Sequence, residues 1–210
     1  MKHLPLLVFL ATSTIASATV IVNPDAAYTS STTLINIPGA DLTTTNILTN
    51  GTVTINFDQT MTVATVPDTW ATWNTPPNAE TATPRILYND TGLVFSFNLS
   101  VGVTTLGFEF ENDGGGATTA TAQFRHGTTV LESVVLGIDS GAGSRLFAVT
   151  EGTTIDNVIV TQLSPAGGGG FANFRYSGAD AATPEPGTLA LLPVGLAAFA
   201  LVRRRMRTAA

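Results

Sequence analysis

From residue 52 to residue 57 the chain alternates without a break. Val53, Ile55 and Phe57 fall on one side, Thr52, Thr54 and Asn56 on the other. A period of two over this length marks a strand with one face in a core and one in water. Two later stretches repeat it with larger side chains. Leu93, Phe95, Phe97 and Leu99 alternate with Val94, Ser96 and Asn98, and Leu106, Phe108 and Phe110 with Glu109 and Glu111. Phenylalanines at that spacing are read as core. Shorter apolar runs at 20–22, 34–37, 47–48, 61–66, 85–88, 119–124, 130–136, 145–150, 154–161 and 171–176 are separated by stretches rich in Gly, Pro, Asn or Asp, the residues that set turns. A hairpin around Asp58-Gln59 would join 52–57 to 61–66. The glycine turn at 112–117 would pair 106–111 with 119–124. Ten or more short strands, with no convincing helical period before Gly187, predict an all-β domain: an antiparallel β-sandwich of jelly-roll or Greek-key type.

The two ends break this pattern. Met1-Lys2-His3 is a short basic start, residues 4–11 are apolar, and Ala16-Ser17-Ala18 places small residues where signal peptidase reads them. Residues 1–18 therefore read as a signal peptide cleaved before Thr19. At the other end, an apolar run from Gly187 to Val202 is closed by Arg203, Arg204, Arg205 and Arg207. The run has no polar face, and arginines directly behind it suit a cytoplasmic stop, so it is read as a membrane helix. The expected organisation is a signal peptide at 1–18, a sandwich domain at 19–178, a spacer at 179–183 and a terminal sorting and membrane segment at 184–207.

Charge changes the picture of partners. Only 11% of residues are charged, against about 25% in ordinary domains. Between 19 and 183 four arginines face fourteen acids, a net charge near −10 that the terminal arginines partly mask. A body this acidic repels nucleic acid and anionic lipid. The absence of cysteine removes thiol catalysis and thiolate metal sites.

Candidate chemistry is sparse. The irregular stretch 68–84 holds both tryptophans, Trp70 and Trp73, among prolines and polar residues. Such a loop calls for a reason. Exposed tryptophan beside polar groups is a means of gripping a sugar ring; the alternative is that both fold back as a plug in the core. Glu109 and Glu111, two apart on one strand face, would lie about 7 Å from each other. They read as a solvent-facing acidic sheet edge more readily than as a hydrolytic pair, because nothing supplies a cleft. Glu111 and Asp113 at a strand end offer oxygens for a structural calcium ion, joined by Asp139, Glu151 or Asp156. His126, beside Arg125 and Gly127, reads as a solvated hairpin tip. No catalytic constellation emerges, and an enzyme is not expected.

Pro184-Glu185-Pro186-Gly187, the helix opening Leu189-Ala190-Leu191-Leu192 and the closing Arg203-Arg204-Arg205 together resemble the PEP-CTERM sorting signal of Gram-negative bacteria. The resemblance implies processing near the Pro-Glu-Pro by an integral-membrane exosortase, transient anchoring in the inner membrane, and arrival at the cell surface or outside the cell. It also implies a non-enzymatic protein of an exopolysaccharide or biofilm matrix. A carbohydrate-binding sandwich using the Trp70 and Trp73 loop is the alternative expectation.

Overall fold

The computed structural model describes residues 18–163 and 167–179. Ala16, the Pro184-Glu185-Pro186 element, the terminal arginines and the expected membrane helix lie outside the described residues. Within them, no helix is long and apolar enough to cross a membrane.

Among the described residues, ten strands and one short helix follow in order: β1 (Thr19–Ile21), α1 (Ala26–Ser31), β2 (Thr33–Ile35), β3 (Thr44–Thr49), β4 (Thr54–Thr65), β5 (Arg85–Asn89), β6 (Val94–Asn112), β7 (Ala117–His126), β8 (Thr129–Asp139), β9 (Arg145–Gln162) and β10 (Gly169–Ser177). Every pairing is antiparallel. The hydrogen-bonded path runs β2-β10-β5-β4-β6-β9-β7-β8, with β3 on β4, β1 on β9 and a second edge of β10 on β6. The fold is all-β and antiparallel, of the sandwich kind.

Several runs that the sequence separates are halves of one strand. β4 joins 54–57 to 61–65 without a hairpin at Asp58-Gln59; β6 joins 94–99 to 106–110, and β9 joins 145–150 to 154–161. Polar residues midway, such as Ser100 and Thr104, suggest breaks, but they sit where the strand bends. Phe97 and Phe108 are eleven residues apart, about 36 Å along a straight strand, yet their rings lie 5.5 Å apart. β6 therefore folds over on itself and contributes to both layers, as strands do at sandwich corners. The β6–β9 register shifts between Asn98 and Val103, and Gly102 fits there because an added Cβ would stand 2.7 Å from Thr154 Cβ.

The second expected hairpin is also corrected. β7 pairs with β8 and with the end of β9, not with β6. The glycine turn carries the chain from one layer to the other, because β9 already occupies the adjacent edge of β6.

The space between the layers is filled by aromatic rings. All phenylalanines among the described residues are buried there. Phe171 alone meets Phe57, Phe95, Phe97, Phe108, Phe110 and Phe174 at centroid distances of 4.7–6.3 Å.

The outer face of the β5–β10–β6 layer is covered as well. α1 is too short for a periodic signal and forms around its cap, with Asp25 Oδ1 accepting from the Tyr28 amide at 2.8 Å. Tyr28 packs against Leu146 and Ala148, and a Cβ at Gly107 would collide with its hydroxyl. Beside it, residues 66–84 lay Val66, Trp73 and Ala79 on Ala64, Ile86 and Ala172 as a second apolar cluster.

Candidate functional site

The two tryptophans of the 66–84 loop have different fates. Trp73 is 3% exposed, and its indole Nε1 donates to Glu109 Oε2 at 2.7 Å. The Glu80 amide donates to the other oxygen of Glu109 at 2.6 Å. The Glu80 carboxylate is held by Arg175 through Nε at 2.6 Å and Nη2 at 2.9 Å, the two-pronged pairing that a guanidinium's geometry favours. Arg175 also donates to the carbonyls of Thr29 and Thr32, tying the helix to the loop.

Glu109 and Glu111 are thus not at a solvent-facing edge. Both are fully buried, because the loop lies over the strand face that alternation assigns to water. Burial pushes Glu109 up to about 7, against the downward pull of the Trp73 and Glu80 donors. Burial pushes Glu111 up to about 7 also, opposed by Thr72 and reinforced by Asp139. Thr72 Oγ1 lies 2.9 Å from Glu111 Oε1 and 3.0 Å from the Ser140 carbonyl, and accepts from the Ala142 amide at 3.1 Å. Glu111 Oε2 is buried without a partner.

Trp70 takes the other course. Half-buried, it packs on Tyr88 at a centroid distance of 5.4 Å and over Gly170. Trp70 and Tyr88 form the aromatic side of an open cleft of about 290 Å³, with Thr69, Thr72, Asp90, Asn112, Asp113 and Ser140 supplying its polar lining. The volume lies near the lower end of the ~300–1,000 Å³ usual for small-molecule sites. Asp113 is placed by its backbone, its amide donating to the Gly168 carbonyl at 2.9 Å and its carbonyl accepting from Gly167 at 3.1 Å. Burial, then the nearby Asp90 carboxylate, raises the Asp113 carboxyl above its ordinary range. Asn112 is fixed through Nδ2, which donates to the carbonyls of Gly114 at 2.7 Å and Gly116 at 2.9 Å.

Of the residues singled out from sequence, Trp70 and Asp113 meet in this cleft. Glu111 stands behind it through Thr72, and Trp73 is an internal anchor. Asp156, on β9, lies beside the β7–β8 hairpin tip, where it accepts from the Gly127 amide and stands 3.2 Å from His126 Nδ1. Among the described residues, no three His, Asp or Glu side chains converge as metal ligands. Tyr88, Asp90 and Thr72 are the cleft residues that sequence reasoning missed. Their signal is faint: Tyr88 shares strand parity with Ile86 beneath the loop, and Asp90 lies in the turn after it.

Residues 182–205 match the PEP-CTERM protein-sorting motif. No curated protein sequence matches the chain. Among solved structures, it is similar to TmCBM61 in complex with beta-1,4-galactotriose at 18% identity and a TM-score of 0.34, over 59% of this chain and 86% of that one. It is similar to a family 29 carbohydrate-binding module at 15% and 0.33, over 74% and 98%. A family 11 module from Clostridium thermocellum, in complex with a beta-1,3-1,4-mixed-linked tetrasaccharide, stands at 12% and 0.28, over 64% and 95%.

Proposed function

We propose that this chain, which carries the PEP-CTERM sorting motif, is an exported surface protein whose β domain binds carbohydrate without cleaving it. The observation that carries the binding reading is the cleft. Trp70 and Tyr88 give it an aromatic wall on which the apolar face of a sugar ring can rest, and Thr69, Asp90, Asn112 and Asp113 surround that wall with hydrogen-bonding groups. That pairing of one stacking surface with several directional partners is what a pyranose presents in complement.

Destination follows from the ends. In this reading the leader at 1–18 is removed before Thr19, the helix after Pro186 holds the chain in the inner membrane, and exosortase cuts near Pro184-Glu185-Pro186. The released domain then joins a surface or extracellular polysaccharide layer through the cleft. Mass spectrometry of the surface form is expected to show a carboxyl terminus near residue 184. A freely soluble protein intact through Ala210 would remove this part of the reading.

The binding part is tested by titrating the exported protein against neutral and charged oligosaccharides by calorimetry. Binding that Trp70→Ala abolishes, while the fold survives, is the expected result. Retained binding in that variant would place the ligand elsewhere, and release of shorter products from a bound oligosaccharide would make the protein an enzyme.

A further inference from the structure

Resting on the carbohydrate reading of the same cleft, we infer that its preferred saccharide carries a free protonated amine, as in 2-amino-sugar units, and that uronate-bearing chains are rejected. The cleft carries two carboxylates, Asp90 and Asp113, and no Lys, Arg or His among the described residues lines it. Three of the four arginines among the described residues are engaged elsewhere, and the fourth, Arg145, does not line the cleft: Arg85 donates to the Gly39 carbonyl and to Asp41, Arg175 to Glu80, and Arg125 to the Thr128 carbonyl.

A second, independent observation points the same way. Asn112 lines the cleft, is 1% exposed and commits both bonds of its amide nitrogen to glycine carbonyls. That fixes which end of the amide is which. Its Oδ1 is left buried without a partner. The Asn112 oxygen that still lacks a donor is therefore an acceptor, and the charged residues lining the cleft, Asp90 and Asp113, are both acidic. An incoming group that brings N–H donors and a positive charge answers both. An ammonium has three donors and no acceptor. A uronate brings only acceptors and a third like charge, whereas a neutral N-acetyl sugar brings donors without charge.

The test uses the exported protein and three oligosaccharides of equal length: oligomers of glucosamine, of N-acetylglucosamine and of galacturonic acid. Calorimetry is run near pH 6 and about 0.15 M salt, where surface charges are screened beyond about 8 Å. The glucosamine oligomer is expected to bind roughly five- to tenfold more tightly than its acetylated counterpart, the scale of one ion pair near a surface. The galacturonate oligomer is expected not to bind measurably. Asp113→Asn and Asp90→Asn should each shrink the preference while keeping the acetylated oligomer bound, and Trp70→Ala should lose both. Equal or tighter binding of the acetylated or uronate oligomer, still dependent on Trp70, would overturn the amine preference and leave the carbohydrate reading intact. So would a preference unchanged in both aspartate variants. Failure of all three oligomers and of neutral glucans would overturn both. Glucosamine binding that survives Trp70→Ala and is displaced equally by spermine would also overturn both, since general attraction to an acidic protein would then account for it.

Discussion

The two faces of the second half of β6 are made from neighbouring residues and held by different physics. Leu106, Phe108 and Phe110 point into the space between the layers, where other rings surround them. Glu109 and Glu111 point the other way and are just as deeply buried, but beneath a loop that meets them with an indole N–H, a backbone amide and a hydroxyl. Apolar burial scales with area and tolerates many arrangements. A buried carboxylate tolerates few, because each missing donor leaves a desolvated oxygen. The inner face thus makes the domain fold, and the outer face fixes one conformation of 66–84, and with it the position of Trp70 against Tyr88.

The strongest way to break the comparison is through the inner face. Phe171→Ala removes the ring that touches six others and is expected to cost about 3–5 kcal/mol, read as the shift in a denaturant unfolding curve. A cost no larger than that of an outer-face change would mean the two faces do not differ as described. On the outer face, Trp73→Phe keeps an aromatic body but strips the donor from Glu109 Oε2, and should cost about 1–3 kcal/mol.

Proton linkage sharpens the contrast, since only the outer face titrates. Glu111 is raised to about 7 from an unfolded value of about 4.3. Between those limits the folded state binds a proton that the unfolded chain has released. Stability therefore falls as pH rises through that window and levels off above it. Glu109, raised in the same direction, adds to the slope. Unfolding midpoints measured from pH 5 to pH 8 should decline, and decline less in Glu111→Gln, which keeps an oxygen for Thr72 and loses the charge. Midpoints that rise over the same range would contradict the burial of these carboxylates. The smallest expected effect on stability, about 1 kcal/mol, belongs to Trp70→Ala, because this half-exposed ring packs mainly on Tyr88 and Gly170. Its large effect should fall on oligosaccharide binding.

The same contrast explains what could be read beforehand. Alternation at 52–57, 95–99 and 106–110 names the inward residues correctly, since strand parity is local and Phe or Ile on one side leaves no other reading; Leu93, expected on the same face, precedes β6 and is exposed. Parity cannot say what covers the opposite side. Glu109 and Glu111 look solvated because the loop that buries them lies some thirty residues earlier in the chain, and a contact over that distance leaves no periodic trace. The continuity of β6 and β9 was hidden for a related reason: a bent strand places polar residues at its corner, where a sequence shows a break. Trp70 and Asp113 were visible as unusual residues, but Tyr88 and Asp90 join them only through the pairing of β5 with β10 and of β10 with β6.

The placement of β10 sets a condition on biogenesis. It is the last strand among the described residues, yet it pairs with β5 and β6 and brings Phe171 and Phe174 to the middle of the aromatic cluster. Until the final ribbon emerges from whatever pore or ribosome delivers it, the earlier strands have a gap at their centre and no complete set of rings. Closure is thus a late, long-range event. A polypeptide built this way stays threadable for most of its passage and locks only when nearly all of it has come through.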